Sequence, residues 1–293
     1  MKRLFKGSIP SGQRTNAAGS IDLLIFGDGT GPSRVKEVWN AGLKELGLYV
    51  KCGGVRETDA EWAAAQPYLW RQPNGQPYTQ GQYGWAYGDI QRHAMQWADN
   101  VVIPHIQATL AQVPEGTYKW IMVDNCIGQH PSLFVPSMPT DYSYVGYHDA
   151  TLSILMDIRM VFPTMKILAN GWQGWAPIGY RGEALGATSP NYADGIWFEG
   201  LTYKTNGAQQ DAGRFQQDQG VFLSMLRAGK IAIWDEPGTI TGSGATDKEK
   251  EAARMARRKA LGFFLSTTAV GINPDNGYWN ESGTRWMDWW RRA

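Results

Sequence analysis

The sequence has few cysteines and no long apolar run, and each shortage excludes a class of protein. Two cysteines, Cys52 and Cys126, among 293 residues cannot form a disulfide framework. Each lies in or just after a predicted strand, where we expect a buried free thiol. No run approaches the ~18 consecutive apolar residues of a membrane helix, so no membrane partner is predicted. The first residues, MKRLFKGSIPSGQ, contain no apolar segment of signal-peptide length. The compartment stays open, because a secreted or phage-associated protein whose leader was removed would look the same.

An excess of charge of one sign is also missing. The 28 Lys and Arg residues are balanced by 27 Asp and Glu residues, for a formal net charge of +1. A dedicated nucleic-acid binder would show a basic stripe, so nucleic acid is not an expected partner. Oligomeric state is not predictable from this composition.

Motifs for metal, nucleotide or serine-nucleophile chemistry are absent from the sequence. The four histidines, at positions 93, 105, 130 and 148, show no HxH or HExxH spacing. The stretch GDGTGP follows a strand but is neither GxGxxG nor a P-loop, and GxSxG does not occur. No cofactor or metal is therefore predicted. One alternative stays open, an oxygen-ligand site for Mg²⁺ or Ca²⁺ built from Asp124, Glu199 and Asp235.

Aromatic residues are what the chain has in abundance. It contains 14 Trp and 13 Tyr, while charged residues make up only 19%. Most of these rings are expected to fill the core. Exposed Trp commonly stacks on sugars, because an apolar ring meets an apolar sugar face while the hydroxyls stay hydrated. The composition therefore favours a carbohydrate partner.

Eight short apolar runs, mostly alternating with helical patterns, predict an α/β protein. The runs are 4–9, 21–26, 48–52, 118–123, 165–169, 193–198, 230–234 and 267–272. Strand–helix alternation indicates a parallel sheet. Eight such units, in a chain near the ~250 residues of a typical barrel, predict one (β/α)8 TIM barrel over residues 1–293.

Three local features are also predicted. Ser33 is a plausible N-cap for a helix whose apolar stripe runs through Leu46 to an end at Gly47. A long helix begins at Asp89, and Pro104 is expected to kink it.

Residues 55–88, rich in Tyr, Trp, Gly, Pro and Gln, are interpreted as a long aromatic loop inserted after the third strand. We expect this loop to lie over the carboxyl-terminal face and favour substrate contact over packing alone.

Acidic residues end several of the predicted strands. Asp124 closes YKWIMVDN, Glu199 closes ADGIWFEG, and Asp235 and Glu236 follow KIAIW. The carboxyl ends of barrel strands share one mouth, so Asp124 and Glu199 can flank one substrate bond. A carboxylate pair of this kind is what a glycosidase needs. We expect Asp124 to be the nucleophile or base and Glu199 the general acid, with Glu236 as the alternative acid. The competing interpretation is a helix cap or a structural ion pair.

Further residues at or near the strand ends are candidate substrate contacts. Asn125, Asn170 and Tyr203 are suited to hydrogen-bond sugar hydroxyls. Trp172, Trp175 and Trp234 are suited to stack on rings. Asp28 and Asp235 lie at strand ends and complete the set. For each of them, core packing or loop bracing is an equal alternative.

The motifs at three strand ends also resemble those of known families. Asp124-Asn125 closing YKWIMVDN, Asn170-Gly171 closing MKILANG, and Glu199 in YADGIWFEG resemble glycoside-hydrolase-like barrel families. These families are related to endo-α-1,4-polygalactosaminidases and to the glycoside-hydrolase-like group fifteen. The resemblance spans roughly residues 20 to 275 and includes the placement of 87–106. It implies a TIM barrel, a sugar substrate, and Asp124 with Glu199 as the catalytic pair.

The sequence therefore predicts a glycoside hydrolase that cleaves a poly- or oligosaccharide with two carboxylates. The alternative is a non-catalytic carbohydrate-binding barrel or a structural barrel of a phage or surface assembly. Binding without turnover would identify that alternative.

Overall fold

The structure is a computed structural model, and it describes residues 2–6, 23–27, 30–80, 84–126, 144–172, 193–199, 231–236 and 270–274, with helical residues at 212–213, 215–216, 220 and 256. The chain forms two compact units. One comprises Met1–Gly47 with Ile196–Ala293, and the other comprises Leu48–Gly195. A single domain over 1–293 stays a prediction.

The elements follow the expected alternation of strands and helices. The strands are β1 (Lys2–Lys6), β2 (Leu23–Ile25), β3 (Leu46–Lys51), β4 (Gly54–Arg56), β5 (Thr79–Gln80), β6 (Trp85–Tyr87), β7 (Trp120–Asp124), β8 (Lys166–Trp172), β9 (Gly195–Glu199), β10 (Ile231–Glu236) and β11 (Val270–Pro274). The helices are α1 (Pro32–Asn40), α2 (Trp62–Ala65), α3 (Ile90–Trp97), α4 (Ile103–Ala111) and α5 (Tyr144–Val161). A strand is present at each of the eight predicted places, so that part of the prediction is confirmed.

In the first unit, parallel pairing joins the strands from the two ends of the chain. β1 pairs with both β11 and β2, and β11 pairs with β10. β2 continues the parallel pairing onto the start of β3, where Leu24 lies opposite Leu46. Leu24, Ile25 and Leu46 are fully buried, as an apolar run with helices packed against it should be.

The second unit is organised around β7 and β8. These strands pair in parallel, from Trp120 opposite Lys166 to Val123 opposite Ala169. The fully buried residues of β7, β8 and α5 are Ile121, Met122, Val123, Ile167, Leu168, Ile154, Leu155 and Ile158. Since parallel strands end at the same edge of a sheet, Asp124 and Asn170 lie at one edge.

The helix before β3 is shorter than its apolar stripe predicts. It spans Pro32–Asn40, its N-cap is Gly31 rather than Ser33, and Pro lies in its first turn. Gly42 adopts a φ of +106°, which ends the helical path. The prediction that Leu46 belongs to the helix is therefore wrong. Leu46 is buried as the first residue of β3 because sheet burial, like a helical face, selects an apolar residue.

Residues 54–87 are not an irregular loop, as their composition predicts, but are built around a small antiparallel sheet in the order β4–β6–β5. Trp70, Tyr78 and Tyr87 pack together in it, with the Trp70 and Tyr78 ring centroids 4.7 Å apart. These aromatic rings therefore pack against one another. The position of this segment over the carboxyl-terminal face stays a prediction.

The long helix after Asp89 is broken, but earlier than Pro104. A π-helical turn, Ala98–Val102, separates α3 from α4, and Pro104 lies in the first turn of α4. A proline is tolerated there because the first N–H groups of a helix have no partner within it. Asp89 is the N-cap, but its carboxylate accepts a hydrogen bond from the Arg92 side chain at 2.7 Å rather than from the backbone. None of the helices in the described ranges is long and apolar enough to span a membrane.

Candidate active site

Asp124 is the last residue of β7 and the best-defined polar group at the carboxyl edge of the second unit. It follows three fully buried residues and is itself half-buried. Its main-chain oxygen accepts a hydrogen bond from the Cys52 N–H at 2.8 Å, which fastens the end of β7 to the end of β3. The backbone from which the Asp124 side chain projects is therefore held by this hydrogen bond from the end of β3.

Both oxygens of the Asp124 carboxylate accept hydrogen bonds. The Asn170 side-chain amide donates to Oδ1 at 2.7 Å, and the Asn125 backbone N–H donates to the same oxygen at 2.8 Å. The Tyr49 hydroxyl donates to Oδ2. Three donors from β3, β8 and the residue after β7 thus hold one carboxylate.

The turn after Asp124 is unusual. Asn125 adopts a φ of +54°, a left-handed conformation that asparagine tolerates better than most residues. The turn directs the Asn125 N–H back to the preceding carboxylate and the Cys126 N–H to the Asn170 carbonyl at 2.7 Å. Asn125 and Asn170, both predicted to contact sugar, are 8% and 3% exposed, and their donors hold Asp124.

Tyr49 is a residue of this site that sequence reasoning missed. Its signal was the alternation in LGLYVKC, where the buried Leu48, Val50 and Cys52 flank Tyr49 and Lys51. Residues two apart on a strand point to the same face, so the two polar residues share the face that reaches Asp124.

Lys51 is buried although it is a lysine, with 7% exposure. Its ammonium nitrogen lies 4.3 Å from the centroid of the Trp85 ring, and the Arg56 guanidinium lies 4.2 Å from the same centroid. A desolvated cation over a Trp face contributes about 2 kcal/mol. These contacts join β3 to the small antiparallel sheet beside the site.

The two cysteines lie directly behind Asp124. Both are buried and free, as predicted. Burial raises the pKa of the Cys126 thiol, and the neighbouring Cys52 thiol and Asp124 carboxylate raise it further. A thiol held in its protonated form is a poor nucleophile, so cysteine chemistry has no support here.

The corner after β3 is braced by two large side chains. The Trp97 indole N–H donates to the Cys52 carbonyl at 2.8 Å. A Cβ added at Gly88 would meet the Trp97 ring at 2.7 Å, and one at Gly53 would meet the Tyr147 hydroxyl at 2.8 Å. Glycine at both places lets the backbone approach these rings closely.

Several other predicted site residues lie at strand ends and are described by their backbone. Glu199 is the last residue of β9, and Asp235 and Glu236 are the last residues of β10, a neighbouring strand. Trp172 ends β8, and Trp234 lies within β10, opposite Ile272 of β11. The prediction that an acid ends each of β9 and β10 is confirmed. Their catalytic use stays a prediction.

Asp28, Trp175 and Tyr203 lie outside the described residues. Within the described ranges, no group of three or more His, Cys, Asp or Glu side chains is arranged to hold a metal ion. Asp124 is an oriented carboxylate, and such a group can act as a base toward water or as a nucleophile toward carbon.

The fold is similar to that of solved glycoside hydrolases. The glycoside hydrolase domain of PelA from Pseudomonas aeruginosa matches with a TM-score of 0.61 at 14% identity, over 94% of each chain. Ega3 of Aspergillus fumigatus, solved in complex with galactosamine, matches with a TM-score of 0.55 at 10% identity, over 94% of this chain and 90% of Ega3.

A third similar structure is the family 36 α-galactosidase AgaB of Geobacillus stearothermophilus. Its TM-score is 0.53 at 16% identity, and the match covers 99% of this chain but 40% of AgaB. No family profile matches this chain, and no curated protein matches it. At these identities the likeness shows a glycoside-hydrolase-like fold. The likeness concerns the fold alone.

Proposed function

We propose that this chain is a glycoside hydrolase in which Asp124 and a second carboxylate cleave a glycosidic bond. The observation that carries the proposal is the carboxylate of Asp124 at the carboxyl end of β7, oriented by three donors. Chemistry in barrels is performed at this edge of the strands. We further propose that the eight strands found at the predicted places, β1 to β3 and β7 to β11, form one (β/α)8 barrel. Their carboxyl ends would then lie at a common mouth.

The roles follow from the two-carboxylate mechanism. Asp124 activates a water or attacks the anomeric carbon, while Glu199 protonates the departing glycosidic oxygen. Glu236, at the end of the neighbouring β10, is the alternative acid. A carboxyl separation of about 5 Å would give retention, and about 6.5–9.5 Å would give inversion.

The substrate class is the part of the proposal with least support in the geometry. Ega3 is a neighbour solved with galactosamine, and the sequence resembles relatives of the polygalactosaminidases. An α-1,4-linked galactosamine polymer is therefore the first substrate to test. Neutral and anionic polysaccharides complete the panel, so that the test does not depend on this one substrate.

The test is release of reducing ends from this panel by the purified full chain and by the variants Asp124→Asn, Glu199→Gln and Glu236→Gln. Loss of a catalytic acid or base lowers the rate by about 10²- to 10⁴-fold. Asp149→Asn and Glu115→Gln, which remove exposed carboxylates, are matched controls expected to keep full activity.

Two outcomes would change the proposal. If Glu236→Gln is inactive while Glu199→Gln retains activity, the acid is Glu236. If the wild type binds a polysaccharide of the panel but releases no reducing ends, the hydrolase proposal fails and the carbohydrate-binding barrel replaces it.

A further inference from the structure

Tyr49 was not among the residues expected to act at this site, yet it contacts the proposed catalytic group. Its hydroxyl donates to Oδ2 of Asp124 across 75 positions of sequence. The side chain is half-buried on β3, whose end is joined to Asp124 by the Cys52 N–H. The contact is therefore made from a strand whose end is fastened to β7.

The donors to the two oxygens of Asp124 differ in whether they can also accept a hydrogen bond. A carboxylate offers about four lone-pair sites, two on each oxygen. Oδ1 receives the Asn170 amide at 2.7 Å and the Asn125 N–H at 2.8 Å, which occupy both of its sites. A backbone N–H can only donate, so Oδ1 has no place for a proton.

Oδ2 is different because its partner is a hydroxyl. A tyrosine O–H donates to a carboxylate but can also accept from a carboxylic acid. Among the described residues, Tyr49 supplies the one hydrogen bond to Oδ2, which leaves one lone-pair site of that oxygen.

We propose that Tyr49 is a positioning residue that holds the Asp124 carboxylate and aims Oδ2, the oxygen that performs the reaction. This inference rests on the proposed function. It assigns Asp124 the role of base or nucleophile, because the described donors to Oδ1 and the Tyr49 hydroxyl at Oδ2 all hold the carboxylate as an acceptor.

The test compares Tyr49→Phe with Tyr118→Phe in the full chain. Tyr118 is a buried tyrosine whose pKa burial raises to about 12, and it precedes β7 at the opposite end from Asp124. Misorientation of a reacting group costs up to about 10²-fold in rate, so we expect kcat of Tyr49→Phe to fall by about 10- to 100-fold with KM nearly unchanged. Tyr118→Phe should change neither kcat nor KM.

Crystal structures of both variants provide a readout that needs no substrate. In Tyr49→Phe the Asp124 carboxylate should turn about its Cβ–Cγ bond, while in Tyr118→Phe it should keep its orientation. An unchanged carboxylate orientation and an unchanged kcat in Tyr49→Phe would overturn the positioning role. If the wild type cleaves no polysaccharide of the panel, the hydrolase proposal fails, and the two crystal structures still decide whether Tyr49 orients Asp124.

Asn170→Ala is the second variant, used if Tyr49→Phe does not fold. It removes a donor from Oδ1 instead of Oδ2. We expect a loss of kcat similar in size, and a carboxylate that rotates toward Tyr49. Full activity with an unmoved carboxylate in Asn170→Ala would contradict the view that these donors orient Asp124.

Discussion

The two ends of the β7–β8 pair each hold an aspartate, and the two are held in different ways. At the carboxyl end, the three described donors to Asp124 are all uncharged. At the amino end, Asp194 accepts from the Arg159 guanidinium at 2.5 Å and from the Ile167 N–H at 2.7 Å. Arg159 also donates to the Met165 carbonyl at 2.8 Å, so it joins three segments.

Under the proposed function, this difference separates a carboxylate that performs the chemistry from one that stabilises the fold. A cation beside Asp194 neutralises its charge, whereas neutral dipoles orient Asp124 and leave its net charge in place. In barrels, residues at the carboxyl end of strands tend to serve catalysis and those at the amino end stability. The four predictions below test this contrast, from the largest expected effect to the smallest.

The largest effect is expected for Asp124→Asn. An amide is neither a base nor a nucleophile, so the rate of polysaccharide cleavage should fall by about 10²- to 10⁴-fold. Because the substitution is isosteric and the site half-buried, thermal unfolding should change little. The measurement is kcat/KM alongside a melting curve. The contrast would fail if Asp124→Asn lowered the melting temperature more than Asp194→Asn while keeping activity.

The next largest effect is expected for Gly88→Ala. The new Cβ would lie 2.7 Å from the Trp97 ring, which is fully buried and tied to the Cys52 carbonyl. Overpacking of this kind costs about 1–3 kcal/mol of unfolding free energy. The measurement is urea unfolding.

Gly31→Ala is the control, since a Cβ at Gly31 meets nothing within 4 Å. Equal stability of the two alanine variants would show that the backbone behind Asp124 is not confined by Trp97.

Asp194→Asn should reduce stability and leave catalysis intact. The amide loses the charge-assisted bond to Arg159, and hydrogen bonds to charged groups contribute about 1.5–3 kcal/mol. Asp194 and Arg159 are 37% and 22% exposed, so screening by solvent should bring the loss to about 1 kcal/mol. The measurement is urea unfolding together with activity per folded molecule. A loss of activity without a loss of stability would reverse the proposed division between the two ends.

A third carboxylate, Asp157 on α5, should give the smallest effect and a dependence on pH. Burial raises the pKa of Asp157, and the charge of Asp99 raises it further. A raised carboxyl pKa means that the folded protein binds this proton at a higher pH than the unfolded chain does. Its ionised form therefore costs stability above the folded pKa, and the cost disappears below it.

Asp157→Asn should accordingly raise the melting temperature slightly at neutral pH. The gain should shrink as pH falls through the raised pKa toward the ordinary pKa of an aspartate carboxyl. Melting curves of both proteins across this range provide the measurement, with exposed Asp149→Asn as the control. A gain that persists at acidic pH would mean that the ionised form of Asp157, disfavoured by burial and by Asp99, is not the cause.

What sequence reasoning could and could not predict follows from the range of each interaction. The run Ile121–Val123 predicts a buried strand from its composition alone, and an acid after such a strand is visible without a structure. The pairing of β4 with β6 is not visible, because Gly, Pro and Gln around these strands are typical of loops while the strand partners lie about thirty residues apart.

Tyr49 was not predicted because its partner, too, is distant in sequence. In LGLYVKC a tyrosine on a strand is as typical of packing as of function, and its partner is found only once β3 lies beside β7. The predicted helix before β3 is too long because Leu43 and Leu46 continue its helical spacing, whereas Leu43 lies in the connection and Leu46 begins β3. Local pattern predicts elements well, but which polar groups meet is decided by tertiary contacts.

The hydrogen bonds to Asp124 have a consequence for how the protein folds. Tyr49 and Asn170 lie 75 and 46 positions from Asp124, so no local element contains the site. Closing such long loops costs entropy before any contact is made, and contacts of large sequence separation form slowly. During refolding, secondary structure should therefore appear well before the carboxylate is oriented. Recovery of the circular dichroism signal should therefore precede recovery of any hydrolase activity.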